Sequence, residues 1–160
     1  MDQRSGGMKL YLETTVPFVL FAEDTPHRRA ITEVFLKWIR FCPDQVYVSS
    51  LLEEEISHAS ASRCAALISR LQKLPLIMLE VPTEASRLAD RYIAAGIVPE
   101  KFRCDILHVA IAVCHELDVV LSWNARSIAN MHRVARICEF NARHRLPPIR
   151  VHTPEMAMSL

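Results

Sequence analysis

Short apolar runs alternate with longer amphipathic stretches along most of the chain. Five of these runs have the length and composition of strands, at residues 9–12, 46–49, 76–81, 119–122 and 149–151. Between them, apolar residues recur at three- and four-residue spacing, which is typical of helices. Because strands and helices alternate and the strands are largely apolar, the pattern predicts a parallel sheet covered on both faces. The predicted fold class is α/β.

Several residues mark where the helices begin and end. Thr25 followed by proline has the sequence of a helix start, and Gly96 that of a helix stop. The sequence Ser-Leu-Leu-Glu at residues 50–53 fits a capping box, which places Glu54 and Glu55 in the first turns of a helix. Further helices are predicted at residues 26–39, 61–73, 83–95, 99–117 and 131–145.

The size of the chain favours one domain. It has 160 residues, of which 51% are hydrophobic and 23% charged, as in a compact globular protein. The polar, glycine-rich residues 1–7 are interpreted as a leader of uncertain origin, and residues 8–160 as the domain. A formal net charge of +1 excludes a global basic field, so any nucleic-acid binding has to use a local patch.

Neither export nor a membrane span is indicated. The apolar runs are far shorter than a bilayer span, and no signal peptide opens the chain. The five cysteines form no Cys-x-x-Cys pair, which favours free thiols over disulfides or a zinc ribbon. We therefore expect a cytoplasmic protein that does not bind membranes.

Parallel sheets bind ligands at the carboxyl ends of their strands. Polar residues that directly follow a predicted strand are therefore the candidate site residues. Glu13 follows the first strand, Glu55 the second at a short distance, and Asn124 the fourth. Asp118 begins the fourth strand instead, so we interpret it as a turn residue at the opposite edge.

Asp105 is a further acid, and it lies on the most apolar helix. Its polar stripe includes His108, but the helix is so apolar that both faces are expected to be covered. A buried acid needs a partner, and a cation shared with Glu13 and Glu55 is one such partner. All-oxygen ligands suit Mg²⁺ or Mn²⁺, and such a site hydrolyses phosphodiesters. An ordinary solvated stripe stays open as the alternative.

Four segments, in order and together spanning most of the chain, resemble the PIN-domain proteins that act as VapC toxins in type II toxin–antitoxin pairs. They read YLETTVP at residues 11–17, VSSLLEEEI at 48–56, PEKFRCDILHVA at 99–110 and LSWNARSIAN at 121–130. The tail at residues 147–155 is also similar to a PIN subgroup. The resemblance implies a three-layer PIN-like fold with a mostly parallel sheet, and a metal-dependent endoribonuclease activity. It also implies RNA as substrate, a cognate antitoxin as partner, and homodimerisation as a common property.

The family's acidic site is expected at four positions of this sequence. Glu13, Glu55, Asp105 and Asn124 match it, as catalytic residues and as ligands to Mg²⁺ or Mn²⁺. Glu55 is preferred to Glu54 because the family's glutamate precedes an aliphatic residue. Glu13 is longer by a methylene than the usual aspartate, and Asn124 lacks its charge. These departures motivate an alternative, a PIN scaffold that binds RNA or a protein without cleaving.

Other side chains carry alternative interpretations. Thr14 and Arg126 are predicted to contact substrate, although a threonine at this place also caps turns. Arg126 belongs to a segment, residues 125–150, with six arginines and one acid, which is either an RNA-contacting surface or a solvated helix face. Trp123 either stacks on a base or packs in the core. A Cys–His hydrolase, using Cys104 with His108 or Cys114 with His115, is the remaining and weakest hypothesis.

Overall fold

Five parallel strands form the centre of the protein. The structure is a computed structural model that describes residues 6–124 and 127–159. The strands lie in the order β3-β2-β1-β4-β5, and every neighbouring pair is parallel. This confirms the predicted α/β class. The strands are β1 (Lys9–Leu12), β2 (Gln45–Ser49), β3 (Leu76–Leu79), β4 (Val119–Leu121) and β5 (Arg150–His152).

The described residues also form eight α-helices and two short 3₁₀ turns. The turns are Val19–Phe21 and Glu100–Phe102. The helices are α1 (Thr15–Phe18), α2 (Pro26–Trp38), α3 (Ser50–Ser57), α4 (Ala61–Gln72), α5 (Thr83–Ala94), α6 (Arg103–Cys114), α7 (Met131–Arg143) and α8 (Pro154–Ala157).

Alternation along the strands assigns the two faces of the sheet to two separate cores. Tyr11 and Val120 pack with α5, α6 and α7, whereas Leu10 and Leu12 pack with α1, α2, α4 and α8. Helix α3 contributes to both cores. The α6 residues from Ile106 to Val113 are all buried, as expected of an apolar helix covered on both faces. The result is a three-layer arrangement with the sheet in the middle.

Two local predictions are wrong. The helix expected at residues 99–117 is shorter, because Pro99 has extended backbone (φ −63°, ψ 149°) and only a 3₁₀ turn separates it from α6. At the other end, Glu116 has a left-handed φ of 56°, which an α-helix cannot continue through. The capping box is also absent, since Ser49 is the N-cap of α3 and makes no side-chain capping bond.

Other sequence expectations match the structure. Gly96, with φ +71°, follows α5 and provides the left-handed residue that ends it. Asp118 accepts a hydrogen bond from the Lys9 amide at the start of β1, at the edge opposite the candidate site. All five cysteines have free thiols. Among the described residues, no helix combines the length and the apolar character needed to cross a bilayer.

Candidate active site

The candidate site lies at the carboxyl edge of β1 and β4. Glu13 and Ser122 are two positions beyond Tyr11 and Val120, so they lie on the same side of the sheet, under α6. Their backbones are fixed, because the Glu13 amide donates to the Leu121 carbonyl at 3.0 Å and continues the strand ladder. A rigid element therefore positions both side chains.

Glu13 is buried among neutral hydrogen-bond donors. Its side chain is 1% exposed, and its Oε2 accepts hydrogen bonds from the Ser122 hydroxyl at 2.8 Å and from the Thr15 amide at 3.2 Å. The Thr15 hydroxyl donates to the same oxygen. Burial raises the pKa of Glu13, while His108 and these hydrogen bonds oppose the rise. The site thus holds a carboxyl group whose charge is only partly compensated by the protein.

Glu55 faces the same side of the sheet because of its position on α3. It is one helical turn after Leu51, which packs in the α6 core, whereas Leu52 and Ile56 pack in the other core. Glu55 is half-buried, and Glu54 is exposed to solvent. The sequence offers both Glu54 and Glu55 as candidates, and the fold places Glu55 at the site.

His108 holds the Glu55 carboxylate from α6. Its Nε2 lies 2.7 Å from Glu55 Oε1 and 3.2 Å from the Thr14 hydroxyl. Its Nδ1 lies 2.6 Å from the hydroxyl of Tyr11, which in turn lies 2.8 Å from the Ser49 hydroxyl. The N-cap serine of α3 thus uses its side chain in this network and not to cap the helix.

The protonation of this network follows from its acceptors. A carboxylate only accepts hydrogen bonds, so Nε2 of His108 carries the hydrogen that bonds Glu55. Burial raises the pKa of Tyr11 far above its ordinary value, with Glu13 and Glu55 adding to the rise and the Ser49 hydrogen bond opposing it. Tyr11 therefore stays neutral and anchors the imidazole ring through Nδ1.

Asp105 is connected to Glu13 through two intervening residues. Its Oδ2 accepts a hydrogen bond from Asn124 Nδ2 at 3.2 Å, and the Asn124 amide donates to the Ser122 hydroxyl at 2.9 Å. Ser122 then donates to Glu13. The Asn124 side-chain oxygen is also engaged, because it accepts from the Ser127 amide at 3.2 Å. Asn124 therefore bonds Asp105 as a donor, with its carbonyl turned to the backbone.

The carboxylates share one edge of the sheet but do not form a ready-made metal site. In residues 6–124 and 127–159, no three or more His, Cys, Asp or Glu side chains form a group that could hold a metal ion. The donor chemistry nevertheless fits a hard divalent cation, because Glu13, Glu55 and Asp105 offer only oxygen. A cation would also offset the cost of burying Glu13 as a charged group among neutral donors.

The predicted substrate contacts have different outcomes. Thr14 is 4% exposed and its hydroxyl bonds His108, so it contacts protein in this state. Arg126 lies outside the described residues. Within its segment, Arg136 donates to the Gly96 carbonyl at 2.8 Å and Arg133 to the Ile97 carbonyl at 3.2 Å. Part of that arginine-rich segment thus caps the end of α5.

Trp123 and His108, the subjects of the two other hypotheses, are both engaged in contacts within the protein. Trp123 is partly buried in the core, donates from Nε1 to the Thr32 hydroxyl at 3.0 Å, and has the Arg28 guanidinium 5.3 Å from its ring centroid. The packing interpretation therefore describes it better than base stacking. The ring nitrogens of His108 bond Tyr11, Thr14 and Glu55, so this imidazole is not placed to activate Cys104.

Sequence reasoning missed the residues that orient the acids. Tyr11 bonds His108, Ser122 bonds Glu13, and Ser49 bonds the Tyr11 hydroxyl, but in the sequence each has the pattern of an ordinary strand residue. One signal was present in the sequence. Tyr11 and Glu13 alternate with apolar Leu10 and Leu12, so they share a face that the strand pattern alone identifies.

Comparison with known proteins identifies the fold. No protein-family model and no curated protein sequence matches the chain. Among solved structures, it is similar to a chain in the crystal structure of VapBC2 from Rickettsia felis bound to a DNA fragment from their promoter. That match has a TM-score of 0.54 and 12% identity, and covers 91% of this chain and 98% of that chain.

A second match is to a chain in the crystal structure of DNA-bound VapBC from Salmonella typhimurium. Its TM-score is 0.53 and its identity 19%, and it covers 92% of this chain and 98% of that chain. Both matches span nearly the whole length of the similar chains. At such identities the similarity is one of fold, and it agrees with the resemblance carried by the sequence motifs. The chain has the VapC-like PIN fold.

Proposed function

We propose that the chain is a metal-dependent endoribonuclease of the PIN type and the toxin of a toxin–antitoxin pair. One observation carries the proposal. Glu13, Glu55 and Asp105 come from three distant segments, and hydrogen bonds through Ser122, Asn124 and His108 tie them to one edge of the sheet. The similarity to chains of two VapBC structures supports the same proposal.

The three acids would hold Mg²⁺ or Mn²⁺. When bound, such a cation activates water and neutralises the charge that develops on a phosphodiester. The protein's part is to fix the acids: Ser122 and Thr15 hold Glu13, and His108 holds Glu55. Asn124 contributes by positioning Asp105 through its amide, which refines its expected role as a direct ligand.

The partners follow from this function. The substrate is RNA, and the expected protein partner is a cognate antitoxin, with a homodimer as the assembly. Thr14 and Arg126 remain proposed contacts to the substrate. The five free thiols are consistent with the expected cytoplasmic location.

A matched pair of variants tests the proposal. Glu55→Gln and Glu54→Gln each remove one carboxylate from the same helix, but only Glu55 faces His108. Cleavage of labelled tRNA and single-stranded RNA is measured with Mn²⁺, with Mg²⁺ and with EDTA. We expect metal-dependent cleavage that falls at least a hundredfold in Glu55→Gln, on the order of a catalytic group's contribution, and stays unchanged in Glu54→Gln. Equal cleavage by the two variants contradicts the assignment.

A second candidate function is an RNA- or protein-binding PIN scaffold without cleavage. It is favoured by the hydrogen bonds that already engage the carboxylates, and by the Asn124 oxygen that bonds the Ser127 amide. A scaffold of this kind would bind RNA with the same affinity in Mn²⁺ and in EDTA. Titration of RNA under both conditions therefore separates the two candidates.

A further inference from the structure

An open cleft of about 570 Å³ lies beside Glu55. It is bounded by α1, the end of α3 and the start of α4. The residues that line it are Phe18, Glu55, His58, Ala59, Ser60 and Arg63. The cleft therefore continues from one of the three proposed metal ligands into solvent.

Arg63 gives this cleft a cationic group that forms no ion pair within 4 Å with a carboxylate of the described residues. Its side chain is exposed, and its guanidinium lies 5.6 Å from the centroid of the Phe21 ring. Stacking on an aromatic ring restricts the guanidinium but leaves its charge available. His58, the exposed C-cap residue of α3, adds a second polar group on the same wall.

The arginine-rich segment offers fewer free cations than its composition indicates. Arg133 and Arg136 donate to backbone carbonyls after α5, and Arg143 forms an ion pair with Glu139 at 2.6 Å. Helix α7 also ends where the chain turns toward the start of β5, at the edge of the sheet opposite the acids. Arg63, in contrast, lines the cleft beside Glu55, and its guanidinium contacts the ring of Phe21.

We propose that this cleft binds the phosphodiester backbone of single-stranded RNA next to the scissile bond. Arg63 would bond a phosphate with its planar guanidinium, and His58 would donate a further hydrogen bond. Phe18, half-exposed on the opposite wall, offers a surface on which a base stacks. A cation, a hydrogen-bond donor and an aromatic ring are the kinds of group that proteins use to bind single-stranded nucleic acid.

The inference rests on the proposed function, and a binding measurement separates the two. The full chain carrying Asp105→Asn is kept in EDTA, so that RNA is bound and not cleaved. Anisotropy of a labelled single-stranded RNA of mixed sequence is then followed over a series of salt concentrations. Arg63→Gln is compared with Arg143→Gln, a single charge removed at the opposite edge of the sheet. Thermal unfolding confirms that both variants are folded.

The cleft predicts unequal results for this pair. Arg63→Gln should weaken RNA binding roughly five- to tenfold and lower the salt slope by about one, as expected for one phosphate contact. Arg143→Gln should change the affinity less than about twofold. A further variant, Phe18→Leu, keeps the apolar volume and should weaken binding about threefold through loss of stacking.

Two other outcomes overturn the inference in distinguishable ways. If the unmodified chain cleaves RNA but Arg63→Gln binds it as well as Arg143→Gln does, the RNA lies elsewhere and the cleft is left for a protein partner. If the unmodified chain neither binds nor cleaves RNA, the proposed function fails together with the cleft.

Discussion

The Glu55 carboxylate lies 2.7 Å from Nε2 of His108, although the two residues are 53 positions apart in the sequence. His108 is fully buried, whereas the Glu55 side chain is 30% exposed. One end of the hydrogen bond is thus fixed in the core and the other reaches the surface of the site. This arrangement lets the fold hold a solvent-facing carboxylate in one orientation.

Replacing His108 should release Glu55 and cost stability. In His108→Leu the buried Tyr11 hydroxyl loses a partner, so we expect unfolding to become easier by about 2 kcal/mol. We also expect RNA cleavage to fall at least tenfold through the rate of the chemical step, with little change in substrate affinity. Urea unfolding and single-turnover cleavage measure the two effects.

A conservative variant keeps this prediction separate from a general folding defect. His108→Gln retains a polar side chain that can bond Glu55, so it should recover part of the cleavage. Tyr11→Phe removes only the hydroxyl and should reduce cleavage less than His108→Leu. Full cleavage in His108→Leu would show that the hydrogen bond to Glu55 has no functional role.

The charged Glu13 side chain should lower the free energy of unfolding when no metal is bound. Burial raises its pKa above the ordinary value of 4.5, so the folded state binds the proton more tightly than the unfolded state. Protonated Glu13 therefore favours the folded state, fully below about pH 4.5, and this contribution is lost as the pH rises through the pKa of Glu13 in the folded state. At neutral pH in EDTA, we therefore expect Glu13→Gln to be more stable than the unmodified chain.

Added metal should reverse this order. If Mn²⁺ binds the folded chain through Glu13, it should raise the unfolding midpoint of the unmodified chain, whereas Glu13→Gln should respond weakly. Urea unfolding with EDTA and with Mn²⁺ gives both comparisons. A Glu13→Gln chain that is less stable than the unmodified one in EDTA would contradict the account of Glu13 as an under-compensated buried acid.

Asn124→Asp should trade stability for metal affinity. The substitution replaces the donor that lies 3.2 Å from Asp105 with a second carboxylate, so the two charges repel in the absence of a cation. We expect a loss of about 1 kcal/mol in EDTA and tighter Mn²⁺ binding, with cleavage equal to or above that of the unmodified chain. Calorimetric titration of Mn²⁺ measures the affinity directly. Unchanged stability and unchanged Mn²⁺ affinity would refute the positioning role of Asn124.

The sequence predicted the order of strands and helices well, and most clearly the central strands β1 and β4, because burial on both faces makes them apolar. The first strand was predicted as it occurs, at Lys9–Leu12. The choice of Glu55 over Glu54 rested on the following isoleucine, and the helix face of Leu51 gives that choice a physical reason. Local patterns of this kind are readable without a structure.

Hydrogen bonds between residues far apart in the sequence could not be predicted from it. The bonds from His108 to Tyr11 and Glu55 join residues far apart in sequence, and nothing in the local pattern specifies which partner each side chain takes. The same reason explains the arginines after residue 125. Their composition indicated a surface for RNA, but Arg136 bonds the carbonyl of Gly96, which lies 40 residues away.

Metal-dependent RNA cleavage, with Asp105→Asn as the control, tests the central claim most directly. Asp105→Asn keeps the shape of the side chain and an oxygen that Asn124 can bond, so its unfolding midpoint should match that of the unmodified chain. We predict cleavage with Mn²⁺ or Mg²⁺, none with EDTA, and a loss of at least about a hundredfold in the variant. Cleavage that persists in EDTA, or that is equal in Asp105→Asn, would contradict the assignment of a metal-dependent nuclease to this site.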